Sequence, residues 1–370
     1  MSVPLLDLKL QYATIRDEIL RVTEEVYASQ AFILGQRVEE FERDFATYCQ
    51  AKHAIGLSSG TDALLIALMV LGIGPGHEVI VPAFSFFATA GVVDRLGATP
   101  IFVDIDLADY NVDANRIAER ITSKTRAIMP VHLYGQCADM DAIRRVAGNI
   151  PVIEDAAQAV GAEYNGRRAG AMSAIGCFSF FPSKNLGAFG DAGAVTTDDD
   201  ALAEKLIDFR VHGMRPKYYH RYVGGNFRID ALQAAILHVK LPRLDRWSDG
   251  RRRNAARYER LFAESKIGDR VVLPRELPRR KHIFNQYVIR FPGGERDRVM
   301  AHLKGAGIGC EIYYPLTLPQ QECFADLPGA KERYPNSERA AAETLAVPIY
   351  PELTEDQMRE VVREIVRALA

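Results

Sequence analysis

The sequence predicts an α/β protein: a mostly parallel sheet covered by helices on both faces, followed by a smaller α+β domain. Three observations carry this. Apolar, β-branched runs alternate with helical stretches; the texture changes near Arg243; and small, polar or ionisable residues stand just after the apolar runs, where ligands sit in such sheets. The boundaries expected are 1–245 for the large domain and 246–370 for the small one.

The elements follow in order. In VEEFERDFATYC, Val38, Phe41, Phe45 and Tyr48 recur at helical spacing with acids between them, so the first segment reads as helices. HAIGLSSGTDALLIALMVLGIG reads as a short apolar run, a small-residue turn and a helix closed by glycine. EVIVP, ATPIFVDID, RAIMPVHL, IPVIEDA, GCFSFF and GAVTT read as strands, separated in several places by helices such as FATAGVVDRLG and DMDAIRRVAGN. Beyond Arg243, RLDRWSDGRRRNAARYERLF reads as a long basic amphipathic helix, HIFNQYVIRF and IGCEIYYP as strands, and TEDQMREVVREIVRAL as a closing helix. RRKH at Arg279–His282 falls in a Pro-rich loop.

Composition narrows the function. The chain has 370 residues, 48% of them apolar, with 46 Lys+Arg against 48 Asp+Glu and a net charge of -2. A charge so balanced gives no overall pull toward nucleic acid or an anionic membrane, so an anionic ligand needs a local site. The cysteines at 49, 137, 177, 310 and 323 form no CxxC pair, which disfavours a metal site or disulfide framework and suits a reducing cytoplasm. MSVPLLDLKLQYATIRDEIL has early acids and no long apolar run, so it does not read as a signal peptide, and no stretch has the length of a membrane span.

Four segments point to chemistry. In FSFFPSKNLGAFGDAGAV a strand breaks at Pro182–Ser183 and Lys184 follows. A lone lysine is ordinarily solvated surface, but one beside a buried strand loses affinity for its proton and becomes a nucleophile. VIEDAAQAVGA ends a strand on Glu154–Asp155. Asp155 reads either as a helix cap or as a carboxylate that keeps a pyridine nitrogen protonated. SSGTDALLIAL reads either as a plain capping turn or as a phosphate cup at a helix N-terminus; it lacks the spacing of a P-loop or a dinucleotide fold. In VPAFSFFATAG at least two of Phe84, Phe86 and Phe87 are expected in the core, leaving one to stack on a flat cofactor.

SSGTDAL, PAFSFFATA, VHLYGQCADM, VIEDAAQAVGA, FSFFPSKNLGAFGDAG, HGM and VGGNFRIDALQAAIL occur in this order, and the chain thereby resembles the DegT/DnrJ/EryC1/StrS family of sugar aminotransferases from about residue 5 to its end. The resemblance implies an aspartate-aminotransferase-like fold, pyridoxal 5'-phosphate (PLP) as cofactor, glutamate as amino donor, a nucleotide-linked keto sugar as acceptor, and a homodimer with shared sites. It implies that Lys184 bonds the cofactor as a Schiff base, Asp155 meets the ring nitrogen, Gln158 the phenolic oxygen and Phe86 the ring face. It implies that Gly60, Thr61 and Ser179 hold the phosphate, joined by Asn226 of the second subunit.

HLYGQCADM, KYYHRYVGGNFRIDALQAAIL and YYP look closest to members that aminate C3 of a 3-keto sugar, foremost a dTDP-3-keto-6-deoxyhexose. A UDP-linked 3-keto hexuronate and a 4-keto sugar are the alternatives, and from other classes a PLP-dependent dehydratase or a non-catalytic regulator. Lys184 argues against the dehydratases, which carry histidine there. Arg228 suits either a substrate carboxylate or phosphate or an intersubunit ion pair. Tyr313 and Tyr314 suit either the sugar pocket or the core, and Pro319 stands where relatives often have a histidine near the sugar. The Arg251–Arg253 run is expected on a solvated helix face, in preference to contacting a diphosphate.

Overall fold

The computed structural model describes residues 2–265 and 267–370. The strands are β1 (His53–Leu57), β2 (Glu78–Pro82), β3 (Thr99–Val103), β4 (Thr125–Ile128), β5 (Ile153–Asp155), β6 (Glu163–Tyr164), β7 (Arg167–Arg168), β8 (Ile175–Ser179), β9 (Gly193–Thr197), β10 (Arg280–Lys281), β11 (Tyr287–Arg290) and β12 (Thr344–Val347). Parallel bridges Ile128–Val152 and Val131–Asp155 join two ladders into one sheet of order β1-β9-β8-β5-β4-β2-β3. Only β9 runs against the rest, since it pairs antiparallel with both β1 and β8. The mostly parallel sheet expected from the apolar runs is therefore present.

Its two faces carry different cores, as alternation along a strand requires. Ile80 joins Val38, Phe41, Phe45, Ile143 and Leu237 on one side, while Val79 and Val81 join Leu64, Ile66, Leu68, Val92 and Leu206 on the other. Full burial of each such side chain contributes about 1.5–3 kcal/mol. The same alternation aims β8. Phe178 and Phe180 pack edge-on against Phe45 at 5.1 and 5.2 Å between centroids, and Ser179 is left facing the opposite way.

A third core gathers Val3 with residues of the C-terminal third, among them Tyr258, Phe262, Tyr287, Leu303, Val347 and Val361. Its strands β11 and β12 pair antiparallel, and the closing helix Glu355–Leu369 begins in a capping box at Thr354. The segment between Gly309 and Tyr334 crosses back to the sheet: Leu318 N–H bonds the carbonyl of Ala83 at 2.8 Å, and Leu318, Phe324 and Tyr334 enter the sheet's core.

Several local expectations differ from the structure. IGCEIYYP makes only single-residue bridges, Ile308 to Val3 and Glu311 to Ala346, the latter on the edge of β12 away from β11, and does not extend into a ladder. In HIFNQYVIRF only Tyr287–Arg290 is strand; Asn285 N–H bonds Tyr134 O at 2.9 Å, tying this stretch to the large sheet's loops. Arg280–Lys281 pairs with β6 instead of staying loop. Arg251 is not solvated and contacts no ligand cavity. On the helix Leu244–Glu264 it is buried, and its guanidinium donates to the carbonyls of Phe284, Asn285 and Ile349 at 3.1, 3.3 and 2.8 Å. Burial lowers its pKa to about 10, so it stays charged at neutral pH and fastens the helix to two loops.

Glu154 anchors the sheet's centre from the face opposite Asp155. It is fully buried and accepts from His132 Nε2, Ser173 Oγ and the N–H groups of Gly170 and Met172, all between 2.8 and 2.9 Å. Because His132 Nδ1 accepts from Ala138 N–H at 3.1 Å, the ring proton sits on Nε2. Burial alone would raise the Glu154 pKa; the His132 contact and the two N–H bonds outweigh it and hold the carboxyl below its ordinary value. The group thus stabilises the fold above the unfolded carboxylate pKa, and that contribution is lost as pH falls through its depressed folded value. Glu154→Gln is expected to cost roughly 3 kcal/mol in denaturant unfolding at pH 7. The gap between variant and native should narrow as pH drops below the ordinary carboxylate range.

Candidate active site

The carboxyl ends of the parallel strands open into one cavity of about 430 Å³. Each wall is set by a strand's end: Ser59–Thr61 after β1, Ser85 and Phe86 after β2, Val131 after β4, Asp155 closing β5, and Ser179 closing β8. Lys184 follows β8 by five residues. Gln286, Tyr313 and Tyr314 close the cavity from the C-terminal third.

One end of the cavity is built for an anion. Ser59 caps the helix Gly60–Val70, accepting from Asp62 N–H at 3.0 Å, so the N–H groups of Gly60 and Thr61 have no partner within the helix. Glycine is needed here because a Cβ on Gly60 would stand 2.5 Å from Ser179 Cβ. Across the same turn a Cβ on Gly193 would stand 2.4 Å from the Ser59 carbonyl carbon. Two strand ends and a helix start are therefore drawn together with room for a phosphate only in front. SSGTD is a capping turn whose free N–H groups also suit an anion.

The other end carries opposed titratable groups. Asp155 is buried; its Oδ2 accepts from Thr89 Oγ1 at 2.8 Å and its Oδ1 from Ala157 N–H at 3.2 Å. Burial raises its pKa, and Thr89, Ala157 and the charge of Lys184 oppose that rise. Asp155 caps no helix. Lys184 has its pKa lowered to about 8 by burial, against the pull of Asp155. Its side chain is part-exposed only because the cavity it faces is open to solvent.

The loop around Lys184 is pinned from below. Lys184 N–H bonds Phe181 O at 2.8 Å, Ala188 N–H bonds Phe180 O at 2.7 Å, and Asn185 Nδ2 reaches Ile283 O at 3.2 Å. The buried amine of Lys240 donates to Gly187 O. This second lysine also has a pKa lowered to about 8 by burial, but it lies beneath the loop and lines no part of the cavity.

Gln158 holds its amide in one orientation: Oε1 accepts from Tyr134 N–H at 2.7 Å and Nε2 donates to Tyr314 Oη at 3.1 Å. Phe86 is 53% exposed at the rim, 5.9 Å from the Tyr314 ring. Phe84 is buried, whereas Phe87 is 44% exposed and stacks on Phe324, so one phenylalanine of the three is core, not two. The exposed edge arises because the segment carrying Phe324 covers only part of that surface.

Of the residues singled out by sequence, Lys184, Asp155, Gly60, Thr61, Phe86, Gln158, Ser179, Tyr313 and Tyr314 share this cavity. Asn226 and Arg228 do not line it. Asn226 is exposed and bridges Val211; Arg228 bridges Leu57, and its Nε is enclosed with no hydrogen-bond partner among the described residues. Pro319 is buried in a short turn beside Leu318 and lines no part of the cavity either. Sequence reasoning missed Ser85, Thr89, Asp191 and Gln286. Thr89 had a signal, a hydroxyl in FATAG just after β2 and the turn carrying Phe86; Gln286 had none, since its place depends on contacts across the two parts of the chain.

The anion cradle, the exposed aromatic face and the amine–carboxylate pair suit pyridoxal phosphate, a flat pyridine aldehyde bearing a phosphate. Comparison with known proteins agrees. The chain is 52% identical over 367 residues to a "pleiotropic regulatory protein" of Geobacillus stearothermophilus, covering 99% of this chain and 98% of that one. It is 44% identical over 370 residues to the UDP-N-acetyl-3-dehydro-alpha-D-glucosamine 3-aminotransferase of Acidithiobacillus ferrooxidans, covering 100% and 98%. The crystal structure of S. venezuelae DesV in complex with a ketimine intermediate superposes with a TM-score of 0.94 at 40% identity, covering 99% and 98%. The model of the DegT/DnrJ/EryC1/StrS aminotransferase family matches residues 13–366, and the chain belongs to that family.

Proposed function

We propose that the chain moves an amino group from glutamate to C3 of a nucleotide-linked 3-keto hexose, foremost a dTDP-3-keto-6-deoxyhexose, as a cytoplasmic homodimer. The observation that carries this is Lys184, an amine with weakened hold on its proton, sharing one cavity with the buried carboxylate Asp155. Bound PLP supplies an electron sink that stabilises charge at the carbon losing or gaining the amine. Lys184 is the group that takes a proton at the donor's α-carbon and returns it. Asp155 holds positive charge on the ring nitrogen, Gln158 meets the phenolic oxygen, and Phe86 backs the ring. Gly60, Thr61 and Ser179 take the phosphate.

The choice of C3 rests on the motif likeness and on the 3-aminotransferase named among the relatives. The dimer is supported by what the cavity lacks. Its charged side chains are Asp155, Asp191 and Lys184, and none of its lining residues is an arginine. Phosphates and the donor's carboxylate need further cations or donors, and Asn226 and Arg228 of a second copy are in character for that. Tyr218, Tyr219 and Val223, in the loop leading to Asn226, are 76, 70 and 91% exposed, an apolar surface suited to a partner. A second reading, a regulatory protein that keeps the fold, draws on the relative named as such; it gives the Lys184–Asp155 pair no task.

Purified protein should be yellow with PLP, and borohydride should fix the cofactor on Lys184, read by peptide mass spectrometry. Capture of PLP by the cofactor-free protein should quicken as pH rises through about 8, where the neutral amine of Lys184 forms. Lys184→Ala should lower turnover by about 10³-fold or more. A protein indifferent to glutamate and PLP would leave the regulatory reading.

A panel of dTDP-, UDP- and GDP-linked 3-keto and 4-keto sugars with glutamate should give amine product, by mass spectrometry, with 3-keto substrates. Product from 4-keto sugars alone would overturn the assignment to C3. Mixing Lys184→Ala with Asn226→Ala protein, each nearly inactive, should restore about a quarter of native activity if subunits exchange at random and sites are shared. No recovery after demonstrated exchange would place Asn226 outside a shared site.

A further inference from the structure

We propose that the hydroxyl pair Ser85–Thr89 is a positioning device for Asp155, fixing the carboxylate in its ionised form and in one rotamer so that the cofactor ring nitrogen stays protonated. The proposal rests on the reading of Asp155 as that nitrogen's partner.

The geometry assigns the protons. Thr89 is fully buried and Ser85 nearly so, at 0% and 3% exposure. Thr89 Oγ1 donates to Asp155 Oδ2 at 2.8 Å, which uses its only proton. The 3.0 Å contact between Ser85 Oγ and Thr89 Oγ1 therefore runs from Ser85 to Thr89. A hydroxyl that accepts while it donates is the stronger donor. The chain starts in the cavity wall, where Ser85 lies, and ends on the carboxylate. Its two members stand four residues apart, on the turn after β2 and the first turns of the helix Ala88–Arg95, so this short segment directs both toward β5.

The surroundings leave the task to these hydroxyls. Charged or titratable groups facing Asp155 are Lys184 from the loop after β8, Cys177 on β8 and Tyr314 from the C-terminal third, while His132, from the loop after β4, acts on it from the Glu154 side. Glu154, its neighbour in β5, is committed to the opposite face. Lys184 ceases to be a free cation once it bonds the cofactor. Ala157 N–H remains, at 3.2 Å on the other oxygen. Thr89 is the largest of the influences opposing the burial of Asp155. A threonine kept only for packing would be replaceable by valine, which has its shape without the hydroxyl.

The test uses PLP-loaded Thr89→Val, Thr89→Ser, Ser85→Ala and Asp155→Asn proteins. The visible absorption of bound PLP titrates with the proton on the nitrogen it shares with Lys184, and positive charge on the ring nitrogen repels that proton. Weakening Asp155 should therefore raise the midpoint. Thr89→Val is expected to shift it upward by about one pH unit, with Thr89→Ser close to native and Ser85→Ala shifted less in the same direction. A Thr89→Val midpoint at the native value, with a normal melting temperature, overturns the proposal. Should Thr89→Val not fold, an unshifted Ser85→Ala does the same. If Asp155→Asn also leaves the midpoint unmoved, the reading of Asp155 itself fails; if only Asp155→Asn moves it, the hydroxyl pair alone is refuted.

Discussion

A carboxylate and an amine, each largely withdrawn from bulk water, face one cavity at the carboxyl edge of the sheet. Removing either from water favours its neutral form, and the two shifts run in opposite directions: up for Asp155, down for Lys184. Their mutual attraction opposes both shifts. The result is a carboxyl whose pKa is raised by burial against the pull of hydroxyl and amide donors, and an amine whose pKa falls to about 8. Most other features of the site hold these groups in place around the cavity.

The scaffold does this through strand ends. In a parallel sheet the carboxyl ends lie on one side, so residues from distant parts of the chain converge without long loops. β8 contributes most. Phe178 and Phe180 key it into the Phe45 face, Ser179 turns to the cavity, and the pinned loop beyond presents Lys184. The antiparallel β9 enters at this edge, which lets Gly193 close against Ser59 at the start of the helix Gly60–Val70.

Much of this was legible in the sequence because it is local. Continuous apolar runs mark strands covered on both sides, and small or titratable residues directly after them mark the cavity. What escaped was non-local. Gln286 meets the site only because β11 docks where it does, and IGCEIYYP has the composition of a strand but meets Val3 and β12 only at single residues. Arg251 looks solvated in an arginine-rich helix, yet three carbonyls from two distant loops enclose it. Thr89 was hidden for another reason: a hydroxyl among small residues looks like packing until its acceptor is known.

The segment bearing Tyr313 and Tyr314 is fastened at both ends, to β12 through Glu311 and Ala346 and to the sheet's core through Leu318 and Phe324. Two hydrophobic masses thus share the job of holding one aromatic wall. Softening either mass leaves that wall without half its support. Loosening the C-terminal core would therefore free one anchor of this cavity wall and leave the other, in the sheet's core, in place.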